Sequence, residues 1–349
     1  MALTLAPATQ AETAEALREA SREGRRLRPR GGGTRSRRGP PAPADEAVLS
    51  TAGLRRVVDH QPADLTVTAE AGLPALELAE LVGGAGQRWP QAELRPGSTV
   101  GGVLAAAASG RLRLRHGPVR DSLLEVVVAT GDGRLITGGG RTVKGVAGYD
   151  LPRLMVGSLG SLGVIVQATL KLWPEPPAQG WFGAEGPIES RLELAARLLR
   201  DVHRPAAVLL GPGWLAVCLE GPPEDVAPPD GTAPAEAPPP LAARGLVQVG
   251  VAPPDLPGLA RSLEARGTPF EAQLGVGACV AGVETADEVA AVRALAADLG
   301  GHAVVVDGPD DLRVDPWGPT PPGLEVMRRV KAAFDPAGVL LVGALPGGL

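Results

Sequence analysis

The chain has 349 residues, 44% hydrophobic and 21% charged, with a net charge of −5. That is enough for two domains with their own cores, and the composition is globular, not fibrous or disordered. The charge gives no overall pull toward nucleic acid or an anionic membrane. Cys218 and Cys279 form no CxxC pair, so by themselves they hold neither an iron–sulfur cluster nor a structural zinc, and they point to a reducing compartment.

No apolar run reaches the roughly 18 residues of a membrane span, and the N-terminus carries no long apolar core. The expected location is the cytoplasm. In chain order, Thr9 with Glu12 three residues on forms a capping box, and Ala14, Leu17 and Ala20 continue a helical spacing toward Gly24. RLRPRGGGTRSRRG, residues 26–39, follows, and eight arginines lie between Arg22 and Arg38 against one acid, Glu23. No aromatic residue interleaves them for base stacking, so a solvated or phosphate-neighbouring loop is expected and nucleic acid is not a partner. Residues 65–82 read as a strand, a turn at Gly72 and a helix with Pro74 near its first turn. RPGSTVGGVLAAAASG, 95–110, is a glycine turn feeding a closely packed helix. Residues 123–139 are a hairpin turning at Gly131-Asp132-Gly133.

LMVGSLGSLGVIVQATLKLW, 154–173, has glycines at 157, 160 and 163. A Rossmann fingerprint needs a strand before the glycines and a helix after them. Here a strand follows, with Val164, Val166, Ala168, Leu170 and Leu172 on one face and Gln167, Thr169 and Lys171 on the other. That is the period of a half-buried strand, ended by Pro174, Pro176 and Pro177. A nicotinamide site is not expected. The glycines are left with two uses: passing beneath a flat ligand, or making tight turns.

After Pro177, residues 189–210 read as a helix and a strand, and 221–240 contain eight prolines with almost no apolar bulk, so an extended or disordered loop is expected. Strands near 246–252, 277–283 and 301–309 alternate with helices near 256–266 and 287–298, the pattern of an α+β sheet domain. One more helix lies in the tail, 322–349.

Four glycine-rich stretches share one half of the chain: RGGGT at 30–34, PGSTVGG at 96–102, KGVAGYD at 144–150 and GSLGSLGVIV at 157–166. Bare amides bind pyrophosphate oxygens, and loops without side chains lie flat on aromatic rings; FAD is elongated, anionic and aromatic, and would use all four. The order of these stretches resembles the FAD-binding domain of the vanillyl-alcohol oxidase or para-cresol methylhydroxylase type. With GPVRDSLL, VVVATGDGRL, LGGHAVVV and KAAFDPAGVLL, the chain is similar, more narrowly, to the E subunits of bacterial glycolate oxidases. The similarity is strongest over 117–177 and weak over 180–270.

This resemblance implies an α+β fold: a two-part FAD-binding domain over 1–177, a smaller cap-like α+β sheet domain over 178–320 carrying the proline-rich loop 221–240, and a C-terminal helix and tail, 321–349, returning to the first. It implies that Gly31, Gly32, Gly33 and Thr34 hold the pyrophosphate, and that Ser98, Thr99, Gly101 and Gly102 lie near the flavin and ribityl chain. Val119, Arg120 and Asp121 would sit beside the cofactor, with Gly148, Tyr149 and Asp150 as the GYD element and Gly163, Val164 and Ile165 at the strand entrance. Thr34 stands where covalent relatives carry a histidine, so dissociable FAD is expected. Leu341-Val342-Gly343 replaces the family's Asn-Pro-Gly, and the proline-rich insertion has no clear counterpart.

The implied activity is hydride transfer from a 2-hydroxy acid such as glycolate to flavin N5. It needs a base for the hydroxyl proton and a cation for the carboxylate. Arginine suits the carboxylate, but all basic residues except Lys144, Lys171 and Lys331 are arginine, so type selects none. Of the four histidines, His302 has the family match and His116 lies beside GPVRD, and the favoured reading of each is a surface or structural residue. No metal-ligand spacing is present. The implied partners are a paralogous FAD subunit and an iron–sulfur subunit, which would make the chain cytoplasmic or peripheral to the inner membrane through the complex. Two roles stay open: the catalytic flavoprotein, or a flavin-holding partner that stabilises the paralogue and relays electrons.

Overall fold

The computed structural model describes residues 3–140 and 149–349. Its first helix, Gln10–Glu23, starts where the capping box places it. Thr9 Oγ1 accepts from Glu12 N at 3.1 Å, and Glu12 Oε2 accepts in return from Ala8 N at 2.8 Å. Gly24 ends the helix in the left-handed conformation. Its inner face, Ala14, Leu17 and Ala20, packs over a small parallel sheet ordered Thr4–Leu5, Ala47–Ser50, Leu27–Arg30. Leu27 carries the sheet on to the tail through a parallel bridge to Leu340.

Beside it lies a five-stranded antiparallel sheet, ordered Val57–Gln61, Thr66–Glu70, Val164–Lys171, Leu123–Ala129, Leu135–Gly139. The central strand is where simple alternation fails. Val127 pairs with Gln167 but Val128 pairs with Ile165, so Val166 is an extra residue. Such a bulge reverses the faces of everything beyond it. Val164 and Val166 join Leu17, Leu27 and Leu49 on one side, while Ala168, Leu170 and Leu172 join Val103, Leu104 and Leu78 on the other. The expected half-buried strand is therefore buried on both faces. Even Thr169 is covered, with its hydroxyl 2.9 Å from that of Thr68.

From Ala178 the chain builds an eight-stranded antiparallel sheet. Its order is Ala233–Ala235, Ala178–Glu185, Trp214–Gly221, Ala207–Gly211, Phe270–Gln273, Ala278–Val283, Gly245–Gly250, His302–Asp307. Helices Ile188–Asp201, Leu256–Ala265 and Ala286–Asp298 cover one face through Leu198, Leu259, Leu263 and Val292. The opposite face, with Ala207, Leu209 and Cys218, packs on Leu112 of the first half. Both cysteines are free and buried, and burial pushes the Cys218 thiol up to about 12. The proline-rich stretch makes a short 3-10 turn, Pro223–Asp225, and adds an edge strand, Ala233–Ala235, against Trp181–Gly183. A sheet edge tolerates Pro234 there, because its missing N–H faces away from the ladder. Arg111 fastens the stretch to the first half by donating to Pro238 O and Pro239 O.

The seam between the halves holds a buried ion cluster. Arg88 grips Glu220 with two bonds of 2.8 and 2.7 Å, His116 Nε2 lies 2.8 Å from Glu220 Oε2, and Gln179 donates to Oε1 at 2.8 Å. Trp173 stacks edge-on to the His116 ring. The last helix, Leu324–Phe334, returns to the first half: Lys331 Nζ donates to Ser161 O, Leu340 O and Asp335 Oδ2.

Candidate cofactor cleft

An open cleft lies where the small parallel sheet, the 31–38 loop, the helix Val100–Ala105, the turn at 159–160 and the tail meet. Close backbone approach shapes one wall. A Cβ on Gly32 would stand 1.6 Å from Gly97 O, so only glycine lets these two loops lie together. Thr99 caps the helix by accepting from Gly102 N at 3.2 Å.

Backbone strain gathers on the opposite wall. Leu159 and Leu341, both lining the cleft, have φ of 57° and 46°. For residues with a Cβ this conformation costs about 1–2 kcal/mol each, and such strain persists where surrounding structure imposes it. Gly157 N and Leu159 N donate to Leu104 O and Ala105 O, which fixes the turn onto the helix.

The charge in the cleft is wholly positive. Arg28, Arg30, Arg35 and Arg38 line it, and none of the described lining residues is acidic. Arg28 pairs with Glu46 and Arg35 with Glu93 behind the wall, yet Arg28 Nη2 and Arg35 Nη1 are buried with no protein partner. Burial, the largest influence, holds the Arg35 and Arg38 guanidiniums below the ordinary arginine range. Cationic donors left without acceptors in a cleft call for an anion. Beside them Ala105, Ala106, Val164 and Ile165 supply flat apolar wall.

The structure brings together part of the expected site. Gly31, Gly32, Gly33 and Thr34 line the cleft, as do Thr99, Gly101, Gly102, Val164 and Ile165. Ser98 lies behind the wall, closing its turn by donating to Arg95 O at 2.7 Å. Gly163, at φ 156°, turns the chain into the central strand behind the wall. Val119 is buried with its N–H on Ser109 Oγ, and Arg120 and Asp121 form an exposed pair 3.6 Å apart; none of the three lines the cleft. Tyr149 is exposed, Asp150 caps Leu151–Met155 through Arg153 N, and Gly148 lies outside the described residues.

Neither histidine reaches the cleft. His116 is locked in the seam with Glu220, and His302 opens the last strand of the large sheet, its ring over Gly250. The cleft arginines were not singled out individually by sequence; their one signal was crowding beside the triple glycine. Among the described residues no group of three or more His, Cys, Asp or Glu could hold a metal, and no helix is long and apolar enough to cross a membrane.

Residues 1–139 match the FAD binding domain family. The chain is 38% identical over 138 residues to glycolate oxidase subunit GlcE of Escherichia coli, covering 39% of each chain. It is 33% identical over 177 residues to glycolate oxidase subunit GlcD of Bacillus subtilis, 50% of this chain and 37% of that one. A mitochondrial D-lactate dehydrogenase [cytochrome] of Arabidopsis thaliana matches at 32% over 170 residues, 49% of this chain and 30% of that one. The matches thus span less than two fifths of these relatives' lengths. The fold is that of alkyldihydroxyacetonephosphate synthase, at TM-score 0.67 and 16% identity over 96% of this chain and 75% of that one. The cofactor is FAD. The unpartnered arginine donors suit its diphosphate, and the small apolar wall suits its rings.

Proposed function

We propose that this chain is the FAD-binding subunit of a complex that oxidises glycolate or a related 2-hydroxy acid. The observation that carries the reading is the cleft itself: glycine loops pressed backbone to backbone, beside arginines with unused donors and an apolar wall. The chemistry FAD supplies when bound is acceptance of a hydride at N5. The chain's own residues would bind and orient. The Gly31 to Thr34 loop would hold the diphosphate, and Arg28 and Arg35, fixed by Glu46 and Glu93, would neutralise it. Ala105, Ala106 and Ile165, which line the cleft, would exclude water from the ring face.

A second role rests on what lines the cleft. Its only titratable side chains, among the described residues, are arginines, which stay protonated and take no proton from a hydroxyl. This favours a chain that holds flavin while a paralogous subunit of the GlcD kind supplies the base, with electrons passing on to an iron–sulfur subunit. Anaerobic mixing of the FAD-loaded chain with glycolate separates the roles. Bleaching of the flavin absorbance by the chain alone supports the catalytic role, and bleaching only after the paralogue is added supports the holding role. A folded chain that takes up no FAD would end both.

A further inference from the structure

Among the cleft arginines, Arg38 differs in how its charge is met. Arg28 and Arg35 each pair with a carboxylate, and Arg30 is exposed. Arg38 is half-buried, and among the described residues no carboxylate lies within ion-pairing distance of it. Its two bonds go to neutral acceptors: Nη1 to Ala106 O at 2.5 Å, and Nη2 to Gln248 Oε1 at 3.2 Å. Burial and the nearby Arg35 both work against its charge.

These contacts also place it. Ala106 is a wall of the cleft, whereas Gln248 belongs to Gly245–Gly250 of the large sheet. The guanidinium is thus held across the junction of the two halves, at the cleft's edge. Two neutral acceptors orient a planar fork without neutralising it, which preserves its attraction for an incoming oxyanion. A charge kept this way is costly unless an anion completes it.

We propose that Arg38 is the anion-anchoring residue of the cleft, its fork receiving an oxyanion from the carboxylate of the 2-hydroxy acid or from the diphosphate of the dinucleotide. The inference rests on the functional reading above, and two binding measurements on the full chain distinguish the sources. FAD affinity is read from quenching of flavin fluorescence. Carboxylate affinity is read from the shift in bound-flavin absorbance as oxalate is added. Arg38→Met should weaken one of them about tenfold, the scale of a charge-assisted bond. Arg38→Lys, which keeps the charge and loses the fork, should weaken the same one by about threefold and serves if the methionine variant does not fold. Arg37→Met, at an exposed residue outside the cleft, should change neither.

A loss in oxalate affinity alone assigns Arg38 to the substrate; a loss in FAD affinity assigns it to the diphosphate. FAD and oxalate affinities both unchanged in folded Arg38 variants would overturn the inference while leaving the functional reading intact. A wild-type chain that takes up no FAD would overturn the functional reading itself, and this inference with it. A wild-type chain that binds FAD but shows no oxalate response leaves the FAD measurement to decide.

Discussion

The two halves of the molecule reach buried sheets by different means. The eight-stranded half relies on side chains: antiparallel strands, helices on one face, and one left-handed residue other than glycine, Arg204. The flavin half relies on its backbone. It holds Leu65, Ala107 and Leu159 left-handed, the returning tail adds Leu341, and its loops meet at Gly32 and Gly97 with no side chain between them. The contrast teaches where binding capacity sits. A sheet filled by side chains leaves no amides free, whereas backbone pressed on backbone leaves N–H groups and space for a ligand.

The largest test concerns the seam that joins the halves. Glu220→Ala leaves Arg88 and His116 buried without their carboxylate, and should cost about 3–5 kcal/mol in urea unfolding. A loss below ~1 kcal/mol would show that the halves are held mainly by apolar packing. The same group gives a pH signature. Burial pushes the Glu220 carboxyl up, but hydrogen bonds from His116 and Arg88 outweigh burial and hold it at about 2. Because the folded value is depressed, its stabilisation is complete above glutamate's usual 4.5 and fades as pH falls from 4.5 toward 2. Fluorescence of Trp173, beside His116, should report the loosening over that window, and Glu220→Gln should remove the dependence.

A pair of matched substitutions sharpens the contrast between backbone and side-chain packing. Gly32→Ala drives a Cβ into Gly97 O, with an expected cost of about 1–3 kcal/mol and at least tenfold weaker FAD uptake by fluorescence quenching. Gly213→Ala, at φ 78° with open space around it, should cost only about 1 kcal/mol and leave FAD uptake unchanged. Equal effects from both would erase the distinction. The smallest effect runs the other way. Arg204→Gly relieves an exposed left-handed residue and should raise stability by ~0.5 kcal/mol, seen as a higher Tm.

Local signals were legible where they involve neighbours in sequence. Thr9 and Glu12 announced the first helix, and Gly131-Asp132-Gly133 announced the hairpin. The alternation after Gly163 announced the central strand, but not its bulge, because Val166 becomes an extra residue only against Val127 and Val128. Strands Ala178–Glu185 and Trp214–Gly221 went unread because their pairing with each other, not their own pattern, defines them. For the site, the triple glycine and PGSTVGG were visible as motifs. Arg38 was not selectable, since Ala106 and Gln248 lie far along the chain and only the fold brings them to it. His302 and His116 show the reverse: a suitable residue type whose position in the fold lies outside the cleft.

The strand that floors the cleft, Leu27–Arg30, is bonded on its free side to the tail: Leu27 N donates to Val339 O at 2.7 Å, and Leu341 N to Leu27 O at 3.0 Å. Lys331 ties the same tail to Ser161. Residues that leave the ribosome early therefore wait for residues 339–341 before their ledge is finished. A nascent chain stalled before that point has its glycine loops but no closed wall, so coenzyme loading belongs after synthesis of the tail.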